Sequence, residues 1–432
     1  MKNLFLILLL SIICIGESYA QVPRARIHIE VVTPDTLLRS GFTTNSVATG
    51  LRIVPVETFV YLGARNIASS PQAITGATFT FVSRPSGSTA SINIMTPTYI
   101  NFLADRAGEY VVKLDITTAG GTDDTTITIV SARYIGVGGF DGGATAFPQC
   151  MSCHAAHPKF VAIYDRWKVS SHALMARKGI RGDLGTSYDA SCLKCHTTGN
   201  DHNIAANNDG FDDIQRQVSW TFTSPSVARW DALRASNALL QRATIGCESC
   251  HGPGSAHTMG GAITNTQISY DDGTCGTCHD SGTRYNKYRE WKESDHFTPI
   301  WSGSFAQATA SQNNSLGNCI RCHDGRGYVN FTYNRTTNTT GMNSADQIDV
   351  GCVACHDPHG NGRPSSLRVS PATSDTLSTG FKYTAFGGKG KTCMDCHKSR
   401  RSIAAMLPTT VAMSATWGPH RSVQTDRSEE RP

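Results

Sequence analysis

Cys-x-x-Cys-His occurs seven times in the last two-thirds of this chain and uses every cysteine but one. The copies are Cys150-Met-Ser-Cys153-His154, Cys192-Leu-Lys-Cys195-His196, Cys247-Glu-Ser-Cys250-His251 and Cys275-Gly-Thr-Cys278-His279. They continue with Cys319-Ile-Arg-Cys322-His323, Cys352-Val-Ala-Cys355-His356 and Cys393-Met-Asp-Cys396-His397. Two thiols at this spacing can form thioethers to the vinyls of one porphyrin, and the histidine that follows is then set against the iron as its proximal ligand. A zinc site would take two Cys-x-x-Cys pairs per ion and would not need a histidine fused to each. Two-residue gaps make poor disulfide staples for so long a chain, and a thioredoxin-like pair would occur once. The repetition selects covalently bound haem c, seven copies of it.

Seven irons need seven further axial ligands. Of the fifteen histidines, seven are proximal and eight remain: His28, His157, His172, His202, His257, His296, His359 and His420. All but His28 fall among the haem motifs, so bis-histidine ligation can be complete without a remainder. His157 and His359 each lie three residues past a proximal histidine, too close to reach the far face of their own haem, so they would serve a neighbour. His172 and His296 close a repeated Trp-x-x-Ser-x-His pattern, beginning at Trp167 and Trp291. His257 ends Cys-Glu-Ser-Cys-His-Gly-Pro-Gly-Ser-Ala-His, and His420 sits in Trp417-Gly-Pro-His420. His202 stands in a loop without surrounding pattern, and the haem it would serve is the first candidate for an open iron. His28 reads as a strand residue, and Met175, Met259, Met406 and Met413 read as packing.

The elements that position these residues fall into two regions. Residues 1–20 read as a secretory signal: Lys2 supplies the charge, an apolar run follows, and Ser18-Tyr19-Ala20 offers small residues before Gln21. No other stretch is apolar enough to span a bilayer, so the mature chain is expected to be exported and soluble. Residues 21–136 alternate in the β manner at 26–32, 77–82, 110–116 and 125–130, with turn clusters at 85–88 and 119–122, which predicts an all-β sandwich. Gly136 to Phe140, with Gly142 and Gly143, reads as a linker. Residues 137–426 form the haem domain, mainly α and irregular, and residues 427–432 a disordered tail. At roughly 40 residues per haem the porphyrin faces should supply most of the apolar interior, with short helices carrying the motifs. The most polar loop falls at 330–344.

The formal charge of +5 is misleading. Seven haems, each with two propionates, move it to about −2 oxidised and about −9 reduced, so nucleic acid is not an indicated partner. With Cys14 in the signal and fourteen cysteines on haem, none is left for a disulfide or a catalytic thiol. Ala385-Phe-Gly-Gly-Lys-Gly-Lys-Thr392 lacks the opening glycine of a nucleotide loop. Asn207, Asp209, Asp212 and Asp213 offer oxygens for calcium but miss the EF-hand order.

The run Phe102-Leu-Ala-Asp-Arg-Ala-Gly-Glu-Tyr-Val-Val resembles a strand of bacterial immunoglobulin-like, PKD-type modules. The Cys-Glu-Ser-Cys-His-Gly-Pro-Gly-Ser-Ala-His element, the Trp-x-x-Ser-x-His pairs and Cys192-Leu-Lys-Cys-His-Thr-Thr-Gly resemble multihaem c-type cytochromes related to the tetrahaem cytochrome c of hydroxylamine oxidation. That group includes octahaem oxidoreductases of nitrogen and sulfur compounds. The resemblance implies stacked, mostly bis-histidine haems that pass electrons by close contact. It leads to an exported heptahaem electron carrier, periplasmic or at the cell surface, whose partners are redox proteins or another multihaem cytochrome. One alternative is an oxidoreductase acting at an open haem. The other is a self-assembling subunit of an extracellular cytochrome filament, with a ligand or the β-domain joining neighbours.

Overall fold

The computed structural model describes residues 22–41, 46–68, 70–202, 205–258, 269–282, 285–297, 322–334, 348–368 and 388–397. Cys319, His420, the signal-type segment and the tail lie outside the described residues.

Ten strands occupy the N-terminal region: β1 (Ala25–Ile29), β2 (Val31–Val32), β3 (Ala48–Thr49), β4 (Ile53–Pro55), β5 (Phe59–Asn66), β6 (Ile74–Ser83), β7 (Asn93–Thr96), β8 (Tyr99–Leu103), β9 (Gly108–Thr118) and β10 (Gly121–Ala132). They form two four-stranded sheets, ordered β1-β5-β8-β7 and β4-β10-β9-β6, and a small β2-β3 pair. Alternation explains the sandwich. Along β9, Tyr110, Val112, Leu114 and Ile116 all point inward, as period-two patterning requires. They meet Val60, Leu62, Ile100 and Phe102 of the facing sheet in one core, where Phe81 sits edge-on to Phe102 at 5.1 Å. At the corner before β9 the Tyr110 hydroxyl accepts from the Arg106 amide (2.9 Å) and donates to Asp105 (2.8 Å). A tyrosine folded back onto the chain just upstream is a hallmark of immunoglobulin-type corners.

The sandwich is docked, not tethered. The segment read as a linker is buried: the Glu248 carboxylate accepts from the amides of Ile135 (2.9 Å), Gly136 (2.7 Å) and Gly254 (2.7 Å), and Val137 and Phe140 enter the core beyond it. Its glycines are there for close approach, since Gly136 and Gly138 take positive φ against Gln241 and Gln149. A second seam joins β2 and the helix Pro34–Ser40 to the helix Gly273–His279. There the buried Thr33 hydroxyl donates to the Asp280 carboxylate at 2.7 Å, and Arg289 pairs with Asp35 at 3.0 Å.

Beyond the sandwich the haem region is built of short helices, as expected. One expectation needs correcting. From Phe140, just before the first motif, to Leu239, just before the third, the protein makes a conventional core of its own that includes Trp167, Ile180, Phe211 and Trp230. The average length per haem hid this, because the first three motifs are widely spaced and leave room for packed helices. The helix Gly325–Asn334 also takes the start of the stretch that reads as a polar loop.

Candidate haem sites

Six of the seven motifs lie on or against short helical turns: Cys150–His154, Leu193–His196, Glu248–His251, Gly273–His279, Cys352–Cys355 and Lys391–Met394. One turn brings both thiols and the following imidazole to one side, since residues three and four apart share a face. The remaining motif, the fifth in chain order, ends in Cys322 and His323 and immediately precedes the helix Gly325–Asn334. Every described motif cysteine is free of disulfide bonds. Each of these thiols would be available to form a thioether to a haem.

Four proximal imidazoles each face one of the second-ligand candidates. His154 faces His257 with ring centroids 6.3 Å apart, His279 faces His172 at 6.2 Å, His251 faces His359 at 6.2 Å, and His397 faces His296 at 5.9 Å. Packed rings can stand about 4.5–7 Å apart, and these separations also fit a metal held between the two rings. Two imidazoles bound trans to one metal at about 2.0–2.1 Å each would bring their centroids to roughly 6.3 Å. Burial lowers the pKa of His154, His172, His296 and His359, and the facing histidine is the next cause in each case. The neutral imidazole so favoured is the form that binds iron. Both His154 and His257 bury an Nδ1 atom that has no hydrogen-bond partner among the described residues. The residues fit haem.

One tetrapeptide serves three of these sites. His356 is the proximal histidine of the sixth motif, its Nδ1 2.7 Å from the Ser365 carbonyl oxygen. The Pro358 carbonyl accepts from the ring of His172, the partner of His279. His359 faces His251. Asp357 holds the turn: its buried carboxylate accepts from the His359 amide (3.1 Å) and the Tyr333 hydroxyl (2.6 Å), and lies 3.8 Å from His359 Nδ1. A carboxylate or carbonyl behind a ligand imidazole fixes its tautomer and orientation.

The remaining candidates are placed differently. His157 is exposed and packs on Phe160, ring centroids 6.0 Å apart. His202 is half-buried beside the sulfurs of Cys195 and Cys278, within 4.8 Å, and burial followed by the nearby Lys194 charge pushes its pKa down to about 4. His196 rests against Tyr188, its Nδ1 3.2 Å from the hydroxyl. Among the described residues no histidine ring faces His196 or His356 in the manner of the four pairs. His28 is a β1 residue 3.8 Å from Glu30. The oxygens considered for calcium already have partners: Asp213 accepts from the Asn208 and Gly210 amides, and Arg216 bridges Asp212 and Asp213.

Motifs also meet one another. Cys150 hydrogen-bonds Cys247, the Cys195 and Cys278 sulfurs lie within 4.8 Å, and so do those of Cys275 and Cys352. Cys250 and Cys393 are electrostatic neighbours of Cys278 and Cys355. Asp272 joins Cys275 and Cys352, and burial raises its carboxyl to about 7. Three-ligand groups such as Cys195, His202 and Cys278 could hold a metal ion in isolation. Their sulfurs come from two different haem motifs, so the grouping marks neighbouring haem edges. A cavity of about 760 Å³ lies at this centre, bordered by His172, Cys195, Cys278, His279 and His356, within the range of cofactor pockets, about 300–1,000 Å³.

Residues 274–357 match the sequence model of the family described as cytochrome c554 and c-prime. Two curated proteins, each a C-type polyheme cytochrome OmcB, come from two strains of Geobacter sulfurreducens. Each is 27% identical to this chain over 231 residues, which is 50% of this chain and 26% of the relative's own length. No solved structure matches the chain.

Proposed function

We propose that this multihaem c-type cytochrome, an electron-transfer protein, holds seven haems and conducts electrons along them with most irons closed by two histidines. The observation that carries this reading is the set of four facing imidazole pairs at 5.9–6.3 Å. The haem iron supplies the one-electron chemistry. The chain's own residues attach, orient and bury it. On this reading the pairs support His257 as the partner of the first motif, His359 of the third, His172 of the fourth and His296 of the seventh. The fifth motif keeps Cys319, Cys322 and His323, and His157, His202 and His420 are left for the second, fifth and sixth.

The motif contacts support an order of passage. The first motif touches the third, the third neighbours the fourth, the fourth meets the sixth, and the sixth neighbours the seventh, while the second joins at the fourth. Cys153 and Cys393, at the two ends of that order, are exposed; the other described motif cysteines are more covered. That suits a conductor with protected middle sites and two accessible ends, used by redox proteins or another multihaem cytochrome. Among the described residues no helix is long and apolar enough to cross a membrane. Export through the signal at residues 1–20, to the periplasm or cell surface, completes the reading, with the sandwich as an immunoglobulin-like cap.

A second reading is favoured by one site. His196 meets Tyr188 where the four paired histidines meet another imidazole. An open iron at the second motif would let the chain act as an oxidoreductase on a small nitrogen or sulfur compound. Low-temperature EPR of the ferric holoprotein, with and without nitrite, separates the two. Only low-spin signals, unchanged by nitrite, are expected of the carrier. A high-spin signal that nitrite converts would overturn it in favour of the enzyme.

A further inference from the structure

The two Trp-x-x-Ser-x-His segments make the same three hydrogen bonds, although they lie in different surroundings. In each, the serine amide donates to the tryptophan carbonyl, Ser170 to Trp167 at 2.8 Å and Ser294 to Trp291 at 2.9 Å. The indole N–H then reaches out to a carbonyl elsewhere: Trp167 to Ile245 and Trp291 to Val350, both at 3.1 Å. The residue that accepts from the indole also donates its amide to the carbonyl of the segment's histidine, Ile245 to His172 at 3.4 Å and Val350 to His296 at 3.2 Å.

The acceptors are not arbitrary. Ile245 and Val350 each stand two residues before the first cysteine of a haem motif, in Ile245-Gly246-Cys247 and Val350-Gly351-Cys352. The glycine between is demanded at both places. A Cβ on Gly246 would lie 2.8 Å from Val137, and one on Gly351 would overlap the Asp272 carboxylate. The histidine held by each clamp belongs to a different motif from the one it grips. His172 faces His279 of the fourth motif while its clamp holds the third, and His296 faces His397 of the seventh while its clamp holds the sixth.

We propose that Trp167 and Trp291 are equivalent positioning residues, each locking the start of one haem motif to the distal histidine of the next. The haem domain thereby contains two copies of one coupling device, setting the relation of the third haem to the fourth and of the sixth to the seventh. This rests on the axial assignment above. A histidine whose carbonyl is held by the same residue that its segment's indole grips presents its ring with little freedom, and a ligand placed loosely binds ferric iron less well. Loosening the clamp should therefore move the potential of the haem it serves, and no other.

The test compares Trp167→Phe and Trp291→Phe with His172→Ala and His296→Ala in the full holoprotein. Each histidine variant should convert one low-spin ferric signal to high spin, which identifies that haem. Trp167→Phe should keep the full haem complement, shift the same low-spin signal that His172→Ala removes, and move one midpoint to more positive potential. Trp291→Phe should do so for the signal that His296→Ala removes. Should either phenylalanine variant fail to load haem, benzothienylalanine at that position keeps the bulk and deletes only the N–H donor. The proposal is overturned if the donor-deleted proteins keep every signal and midpoint, or shift a signal other than the one identified. If the histidine variants produce no high-spin species, the axial assignment has failed instead.

Discussion

On the proposed assignment, each facing pair would supply an iron's two ligands, and the rings show how their planes would be turned. The rings of His154 and His257 are 13° from parallel and those of His251 and His359 are 10°, whereas His172 and His279 are at 59° and His296 and His397 at 74°. Parallel imidazoles act on one of the two iron dπ orbitals and split them; crossed imidazoles act on both and leave them nearly degenerate. The ferric protein should therefore show two EPR classes. The first and third haems should give rhombic low-spin signals, and the fourth and seventh strongly anisotropic ones with a much larger maximal g. His257→Ala should remove a rhombic signal and His172→Ala an anisotropic one; the reverse outcome would refute the assigned pairs. Motif spacing marked seven histidines and counting marked seven candidate partners, of which the described residues bring four, His172, His257, His296 and His359, to face a motif histidine. The pairing was not legible, because partners lie roughly a hundred residues apart in sequence and nothing local encodes so distant a contact. The [Ile/Val]-Gly-Cys signature ahead of the third and sixth motifs was a readable signal that sequence reasoning passed over.

Period-two patterning exposed the sandwich strands because one face of each is buried, and the segment ending at Tyr110 stood out by its likeness to a module strand, though its corner bonds appear only in the structure. Asp105 ties that corner. Burial opposes its ionisation, but hydrogen bonds from Ser88, Thr89 and Tyr110 outweigh burial and bring the carboxyl down to about 2. With the folded value below the unfolded one of about 3.9, the carboxylate stabilises the sandwich fully above that pH. Its contribution is lost as pH falls toward about 2. Asp105→Asn should cost about 1 kcal/mol at neutral pH and flatten acid unfolding of the sandwich over that window, followed by far-UV circular dichroism. An unchanged acid transition would mean the corner is held by Tyr110 packing alone. The glycine-rich run after β10 misled for a physical reason. Glycine is chosen for flexibility in linkers and for close approach in cores, and only the buried Glu248 carboxylate, more than a hundred residues on, decides between them.

The axial pairs also determine what kind of object the molecule is. Every assigned iron would cross-link two distant segments, so on this reading the haem domain would be stapled by its cofactors in addition to the core around Trp230. The sandwich enters this assembly at its middle. Val31 lies over Gly273 and Thr33 over Gly276, both in the helix of the fourth motif, where three other motifs converge. A cap there would keep water from the site through which the proposed path must run. Thr33→Val tests this with little change of volume. It deletes the hydroxyl that donates to the buried Asp280 carboxylate and also accepts from the Thr36 amide, at a cost of about 2 kcal/mol. As the seam loosens, water reaching the fourth haem favours its more charged ferric state, so its midpoint should fall, while that of the seventh, far from the seam, should not. Spectropotentiometry with the signal that His172→Ala removes as the marker reads this directly. Unchanged midpoints with only a lowered unfolding temperature would make the sandwich a structural brace. A selective fall would make it part of the electron path's insulation, placed over the junction where a leak to solvent would interrupt every route between the two exposed ends.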